Sequence, residues 1–553
     1  MTASGNPPVR VIFLGGLGEV GRNMLAIEVD ERILIIDVGL SFPNEEMLGV
    51  DLVLPDWKYI TERADQVEAV VLTHGHEDHV GALSWFLRDV DVPVYGTPLT
   101  LGIANRRLQE FGVKADFREV SIGDLKIGPF DLTLFATSHS IPDSCGIALR
   151  TPHGSIVYTS DFKIDETPID GRSTDLGFLR KMSEDGVDLL LSDSTNAERP
   201  GRTPSEMIVG DALRGIFRGA DRRIIVACFA SNIHRIQQVC TIAEEFNRRI
   251  AFVGRSMVNN VEVGRELKHL RVSDKSLMTI DEIQRVPPEQ TVIVCTGSQG
   301  EPLAALSLIA AGEHKNVHAQ KGDTVILSAS PIPGNESAVH RVINGLYKSG
   351  ADVYHSGTDK VHVSGHAASE ELSQMLEVVD PTYFIPVHGE YRQLALHRRL
   401  ARAHGVPDEN INIVEDGDVI ELEDGKVRRA DRVPSGMVLV DGLGVGDVGP
   451  VVLRDRRHLS QDGVIVCVVT IDSQNGEILA GPDLITRGFV FEERSREILD
   501  EAADKVLDAL EVLEAEKVTD WGAIKKETRR ALGSFVWERT RRRPMILPVI
   551  MEI

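Results

Sequence analysis

His74-Gly75-His76-Glu77-Asp78-His79 follows directly on the apolar run Val67-Glu68-Ala69-Val70-Val71-Leu72. Three imidazoles and two carboxylates within six residues, where a buried strand would end, are more ligand chemistry than folding requires. Alternate residues of an extended chain point the same way, so His74 and His76 are placed to grip one ion while Asp78 and His79 turn toward a second. Neutral imidazole combined with carboxylate suits zinc or manganese. Two such ions about 3.5 to 4 Å apart form a recurring arrangement for hydrolysing phosphate esters. A polar loop with surface histidines is the plainer account; the density of ligand types argues against it.

The chain has 553 residues, too many for one core, and two to four domains are expected. Hydrophobic content of 42% and charged content of 26% belong to an ordinary globular protein and exclude a disordered or fibrous one. Cys145, Cys228, Cys240, Cys295 and Cys467 are scattered through apolar runs without a CxxC pair, which points to buried thiols in a reducing compartment. With no signal peptide and no apolar stretch of bilayer-spanning length, a cytoplasmic protein without a membrane partner is expected. The net charge of -24 argues only weakly against a nucleic-acid partner. A locally basic channel and bound cations outweigh a whole-molecule sum.

Val9 to Leu14 reads as a strand leading into Gly15-Gly16-Leu17-Gly18-Glu19-Val20-Gly21. Gly16, Gly18 and Gly21 match the dinucleotide fingerprint GxGxxG, which must open a helix to work. Asn23 to Val29 reads instead as a second strand, so the match predicts a glycine-rich hairpin near the active-site rim. The next strand, Arg32 to Ile36, ends at Asp37, a carboxylate suited to orienting a metal ligand or to a turn. Leu132 to Ala136 is followed by His139, and Ser155 to Ser160 by Asp161, repeating the same placement of a ligand at a strand end.

The series Asp37, His74 to His79, His139 and Asp161 resembles the metallo-β-lactamase family. The resemblance implies an α/β fold, a four-layer αββα sandwich of two mixed sheets with helices outside. It also implies that His74, His76 and His139 hold one ion, that Asp78 and His79 belong to the other, and that Asp161 bridges them. Thioesters, β-lactams and phosphodiesters are all cleaved on this scaffold, so the substrate stays open.

From near Asp211 strands and helices alternate, with strands at Arg223 to Ala227, Arg249 to Val253, Thr291 to Cys295 and Thr324 to Leu327, which predicts an inserted parallel α/β domain. The chain returns through Lys360 to Ala367 and Tyr383 to Glu390, whose strand-end histidines complete the first domain. This insertion, with Asp193, Ser364-Gly365-His366-Ala367 and His388, resembles the β-CASP nucleases. Phe229-Ala230-Ser231-Asn232-Ile233-His234-Arg235 and the ending Arg542-Arg543-Pro544-Met545-Ile546-Leu547-Pro548 make the chain similar to the bacterial ribonuclease J family from about Val9 to Ile553. The expected order is a metallo-β-lactamase domain in two parts (1–210 and 356–430), a β-CASP domain (211–355), a glycine-rich linker (431–455) and a small C-terminal α+β domain (456–553).

By this resemblance His388 is the last ligand of the second ion, and Asp193 a buried partner of a ligand histidine. Ser364, Gly365, His366, Ala367 and Ala368 would bind a substrate phosphate through amides and the His366 imidazole. Glycine lets the main chain approach a phosphate, and successive amides form an anion nest. Ser231, Asn232 and Ile233 would hold a nearby 5′ phosphate or the adjoining backbone; Ser231-Asn232 equally suits a helix N-cap. Gly49, Asp51 and Asp447 would hold a structural calcium ion, although both aspartates also suit turns. The resemblance implies a two-metal ribonuclease acting on single-stranded RNA in maturation and decay, from the 5′ end and internally. Asp78, His366 and Asp193 would serve its chemistry. A 5′-monophosphate end would be preferred, and the C-terminal domain would promote a homodimer or homotetramer. A DNA-directed β-CASP nuclease is the alternative within the superfamily, and a metal-free RNA-binding scaffold the alternative outside it.

Overall fold

The computed structural model describes residues 6–301, 303–332, 334–473, 477–489, 496–516 and 518–553. Met1–Phe42 with Leu52–Val438 form one compact unit, and Pro43–Asp51 with Leu439–Ile553 a second.

The first unit is built on two facing sheets. The eight-stranded sheet runs in the order Lys426–Ala430, Val419–Glu423, Val9–Gly15, Met24–Val29, Arg32–Ile36, Val67–Val71, Val94–Gly96, Phe117–Glu119. The six-stranded sheet runs Pro381–Val387, Val187–Asp193, Gly154–Tyr158, Cys145–Thr151, Phe130–Ala136, Gly123–Ile127. Strand side chains alternate between faces, and one parity fills the space between the sheets: Val11, Phe13, Leu25, Ile27, Leu34, Ile36 and Val71 meet Leu132, Leu134, Ile147, Leu149, Leu189, Leu191 and Ile385. The opposite parity of the second sheet, Phe135, Ala148, Val157, Leu190 and Phe384, packs under the helices Leu176–Asp185, Ser369–Val379 and Tyr391–Ala403. Burial on both faces explains why these strands read as unbroken apolar runs.

A strand, Met24–Val29, follows the glycine-rich segment, so GxGxxG opens no helix here. Leu17–Gly18 pairs instead with Gly389–Glu390, beside His388. The insertion contributes a five-stranded parallel sheet in the order Arg249–Val253, Thr291–Cys295, Ile224–Ala227, Thr324–Leu327, Asp352–His355. Ile224, Val226, Val292 and Val294 face the helices Ile233–Glu245 and Arg255–Glu266, while Ile225, Ile293, Val325 and Leu327 face Ala305–Ala311 and Glu336–Lys348.

In the second unit, strands Ile478–Arg487, Val464–Ile471 and Met545–Glu552 form a sheet. Helices Arg496–Ala515 and Trp521–Thr540 cover one face of it through Ile465, Cys467, Val469, Val506, Leu510, Leu532 and Val536. The stretch read as a linker is more ordered than expected: it carries the strands Met437–Asp441 and Gly444–Val445, and a helix, Pro450–Asp462, starts at its end. Its glycines turn the hairpin, with Gly442 at φ 59° and Gly446 at φ 76°. Proline at the first helical position, preceded by a glycine, is a helix start that a linker reading overlooks.

Candidate metal centre

Every candidate ligand of the two-ion centre lies where a strand of one of the two facing sheets ends. Asp37 follows Arg32–Ile36, His74 to His79 follow Val67–Val71, His139 follows Phe130–Ala136, Asp161 follows Gly154–Tyr158, Asp193 ends Val187–Asp193 and His388 follows Pro381–Val387. Parallel neighbours deliver their strand ends to one edge, the usual position of sites in sheets of this kind. Asp37, Ser160 and His388 adopt positive φ angles of 59°, 51° and 52°, which turn the chain sharply out of each strand.

Two ligand sets emerge. His74 Nε2 and His139 Nε2 each lie 3.1 Å from His76 Nδ1 and 3.6 Å from Asp161 Oδ2. His79 Nε2 lies 3.4 Å from Asp161 Oδ1 and 3.7 Å from Asp78 Oδ2, and His388 Nε2 lies 3.6 Å and 3.3 Å from the same two oxygens. Metal–nitrogen bonds of about 2.0 to 2.1 Å in a tetrahedral array hold their donor atoms about 3.3 to 3.4 Å apart. Both sets have that spacing, and Asp161 gives one oxygen to each. Asp161 Oδ1 is buried and finds no hydrogen bond among the described residues.

The remaining ring nitrogens are held from behind. His79 Nδ1 donates to Asp37 Oδ2 at 2.7 Å, and His139 Nδ1 to the Gly365 carbonyl at 2.7 Å. His388 Nδ1 lies 2.7 Å from Thr195 Oγ1 and 3.3 Å from Asp193 Oδ1, and His74 Nδ1 lies 3.1 Å from Thr73 Oγ1. Such bonds fix tautomer and ring orientation, leaving the inward nitrogen as the lone-pair donor. Gly365 has to be glycine, because a Cβ there would stand 2.6 Å from His139 Cε1.

Burial drives His76 down to about 4 and His74 and His139 well below the ordinary histidine value, so these three are neutral donors at neutral pH. Burial also opposes a charge on His79, but Asp161, Asp37 and Asp78 outweigh it and hold its pKa at about 10. His388 is raised well above the usual value for the same reason, with Asp161 the strongest of its carboxylate partners. Burial alone would push Asp161 up; His388, His79 and His366 hold it well below the usual carboxylate range. The second set is therefore rich in negative charge.

His366 stands next to the two sets, its Nδ1 2.8 Å from Asp193 Oδ2. The loop around it is held by Asn196 Nδ2, which donates to Ser364 Oγ and the His366 carbonyl, and by Thr203 Oγ1. Three of its amides are already used: His366 donates to Ser364 Oγ, Ala367 to the Phe162 carbonyl and Ala368 to Glu371. Among the described residues, the Ser364 and Gly365 amides have no acceptor, so the nest is narrower than the motif suggests. Asn232 caps the helix Ile233–Glu245, its side chain accepting from the Arg235 amide at 3.0 Å. The Asn232 and Ile233 amides close turns onto Phe229 and Ser231, and the Ile233 side chain is buried in the inserted domain. In the second unit, Asp51 accepts from the Gly442 amide at 2.8 Å. The Arg456 guanidinium lies beside Gly49, donating to the Leu48 carbonyl and pairing with Asp441, and Asp447 lies against Gly444.

Asn23 escaped the sequence reading. Its Nδ2 lies 3.0 Å from the Asp78 carbonyl and 3.1 Å from His79 Nε2, so the glycine-rich hairpin delivers a buried amide to the second set. Thr195 and Asn196, directly after Asp193, were equally invisible, since small polar residues after a strand are ordinary loop composition.

A sheet sandwich with this histidine and aspartate cluster at its strand ends, interrupted by a parallel α/β insertion, defines a metallo-β-lactamase-type hydrolase. Residues 17–197 match the metallo-beta-lactamase superfamily, and residues 352–414 the Zn-dependent metallo-hydrolase RNA specificity domain. Residues 221–346 match the ribonuclease J beta-CASP domain and 451–553 the ribonuclease J C-terminal domain. The chain is 42% identical to ribonuclease J2 of Bacillus subtilis (strain 168), over 99% of each chain. It is 45% identical to ribonuclease J of Mycobacterium tuberculosis (strain H37Rv), over 99% of this chain and 97% of that one. The chain belongs to the ribonuclease J family. A solved protein of unknown function from Enterococcus faecalis V583 shares the fold at a TM-score of 0.54 and 17% identity, covering 75% of this chain and 100% of its own.

Proposed function

We propose that the protein is a two-metal ribonuclease that removes nucleotides from the 5′ end of single-stranded RNA and also cuts internally. The observation that carries this reading is Asp161, whose two oxygens face two separate ligand sets of matching spacing. His74, His76, His139 and Asp161 would hold one divalent ion, and Asp78, His79, Asp161 and His388 the other. Zinc and manganese both suit imidazole with carboxylate. Such a pair of ions supplies Lewis acidity toward a phosphate and a nucleophile at neutral pH. Asp78 and Asp161 orient the attacking water. His366, steadied at Nδ1 by Asp193, presents its other nitrogen to stabilise the phosphate or protonate the leaving 3′ oxygen. The Ser364 and Gly365 amides offer donors to a terminal phosphate, and Ser231 stands at the start of a helix, whose dipole favours anions.

RNA is favoured over DNA by the relatives' names and by the match to an RNA specificity domain. No helix among the described residues is long and apolar enough to cross a membrane, and the five free cysteines are buried, which supports a cytoplasmic setting. Self-association through the C-terminal domain is supported by its open sheet face, where Ile485, Leu547, Val549 and Met551 are exposed. The test is a digest of 5′-labelled RNA and matching DNA, with and without manganese, resolved by product length. Labelled mononucleotides released from RNA alone are expected; equal cutting of DNA would refute the substrate assignment.

A further inference from the structure

Between Trp521 and Arg543 the chain carries eight basic and only two acidic side chains, in a protein of net charge -24. The helix Trp521–Thr540 buries Ile524, Thr528, Leu532 and Val536. Its opposite side exposes Lys526, Arg529 and Trp537, and the exposed Arg541 and Arg543 follow directly. Lys526, Arg529 and Trp537 recur at helical spacing, and Arg541 and Arg543, beyond the helix end, extend this stripe by lying over the Trp537 ring. Arg530 and Arg539 do not count toward it, since they pair with Glu527 and Glu501. Among the described residues no carboxylate forms a salt bridge with the side chains of Lys526, Arg529, Arg541 or Arg543; Asp462 accepts from the Arg543 main-chain amide at 2.8 Å, and Glu527, beside Lys526, is paired with Arg530. Trp537 organises the end of the stripe, with the Arg543 guanidinium 4.4 Å and the Arg541 guanidinium 5.6 Å from its ring centroid.

The side-chain position of Gly533 faces Ile546 of the sheet, so this glycine belongs to the helix–sheet contact and not to the exposed stripe. Cations without salt-bridge partners around an exposed ring suit a polyanion that also offers flat bases.

We propose that this stripe is a second RNA-binding surface, formed by Lys526, Arg529, Trp537, Arg541 and Arg543, which holds single-stranded RNA by its phosphates. The inference rests on the reading of the protein as a ribonuclease. It is separate from the apolar sheet face of the same domain, because the helices cover the other side of that sheet. Self-association through the sheet leaves the stripe open.

The test uses the full chain and two variants, Lys526→Gln with Arg529→Gln, and those two combined with Arg541→Gln and Arg543→Gln. Binding of a fluorescent polyuridine of about 30 nucleotides is followed without divalent ions across a salt series. The fourfold variant is expected to bind about tenfold more weakly, with the salt slope reduced by up to about 3, and the double variant to fall between it and the parent. Cleavage by all three proteins of an RNA of about five nucleotides, which engages the metal centre alone, should be equal. Unchanged affinity and slope in both variants would overturn the surface. So would a loss of affinity matched by dissociation in light scattering, which would assign the stripe to self-association. Failure of the parent to cut the short RNA would refute only the nuclease reading, since the binding measurement involves no catalysis.

Discussion

Asp37 Oδ2 and His79 Nδ1 meet at 2.7 Å, both fully buried, and this one bond aims the other nitrogen of His79 at Asp161 and Asp78. Thr73 completes the arrangement by donating its amide and hydroxyl to the two Asp37 oxygens. In Asp37→Asn an amide donor would face either His79 or Thr73. The imidazole would then lose its fixed tautomer. Affinity for the second ion should fall about 10- to 100-fold while the first ion is retained. Metal content per chain, measured after dialysis at graded free manganese, checks this; two equally tight ions in the variant would contradict it.

Gly365→Ala tests the opposite side of the centre. The new Cβ would press on His139, which has no room to move because it is buried and its Nδ1 is tied to the Gly365 carbonyl. Overpacking of this kind costs about 1 to 3 kcal/mol. We expect a lowered melting temperature and selective loss of the ion held by His74, His76 and His139. Full occupancy of that site with an unchanged melting temperature would show that the loop yields more easily than its contacts indicate.

Acid stability should depend on two histidines outside the metal centre, the buried His397 and the half-buried His362. Burial lowers His362 and His397 to about 3, so both are neutral in the folded state. The unfolded chain takes up their protons near pH 6.5, before the folded one does. Their contribution is therefore fully present above pH 6.5 and is lost as pH falls toward 3. Between pH 7 and pH 5 each should remove about 2 kcal/mol of stability. His397→Asn keeps a partner for Ser194, which lies 3.0 Å from His397 Nδ1, and should flatten this part of the denaturant-derived stability curve. An unaltered slope would mean that His397 titrates normally.

The 5′ end should matter as well. Two unengaged amides beside His366 match the charge of a monophosphate better than that of a bulkier triphosphate. We expect monophosphorylated RNA to be degraded from its 5′ end roughly tenfold faster, the worth of about one hydrogen bond to a charged group. Equal rates on the two ends would remove the pocket from the account.

The local series His74-Gly75-His76-Glu77-Asp78-His79 was enough to mark a candidate metal centre, and alternation along an extended chain puts His74 and His76 together. Asp78 and His79 reach the second set through a helical turn, Glu77–Val80, which strand alternation does not include. The parallel insertion was legible for a similar reason: strands buried on both faces leave apolar runs at regular spacing. The glycine-rich stretch could be cleared of nucleotide binding from sequence, since a strand follows it, but its actual use could not be read. Asn23 reaches Asp78 and His79 only because the sheet brings residues more than fifty positions apart to one edge. The same holds for Thr195 behind His388 and for the Gly365 carbonyl behind His139. Ligands declare themselves by residue type, whereas the groups that orient them are ordinary polar atoms, chosen by where the fold places them. The order within residues 431–455 was likewise decided by packing, which turns glycine-rich chain into a hairpin when flanking strands are available to pair.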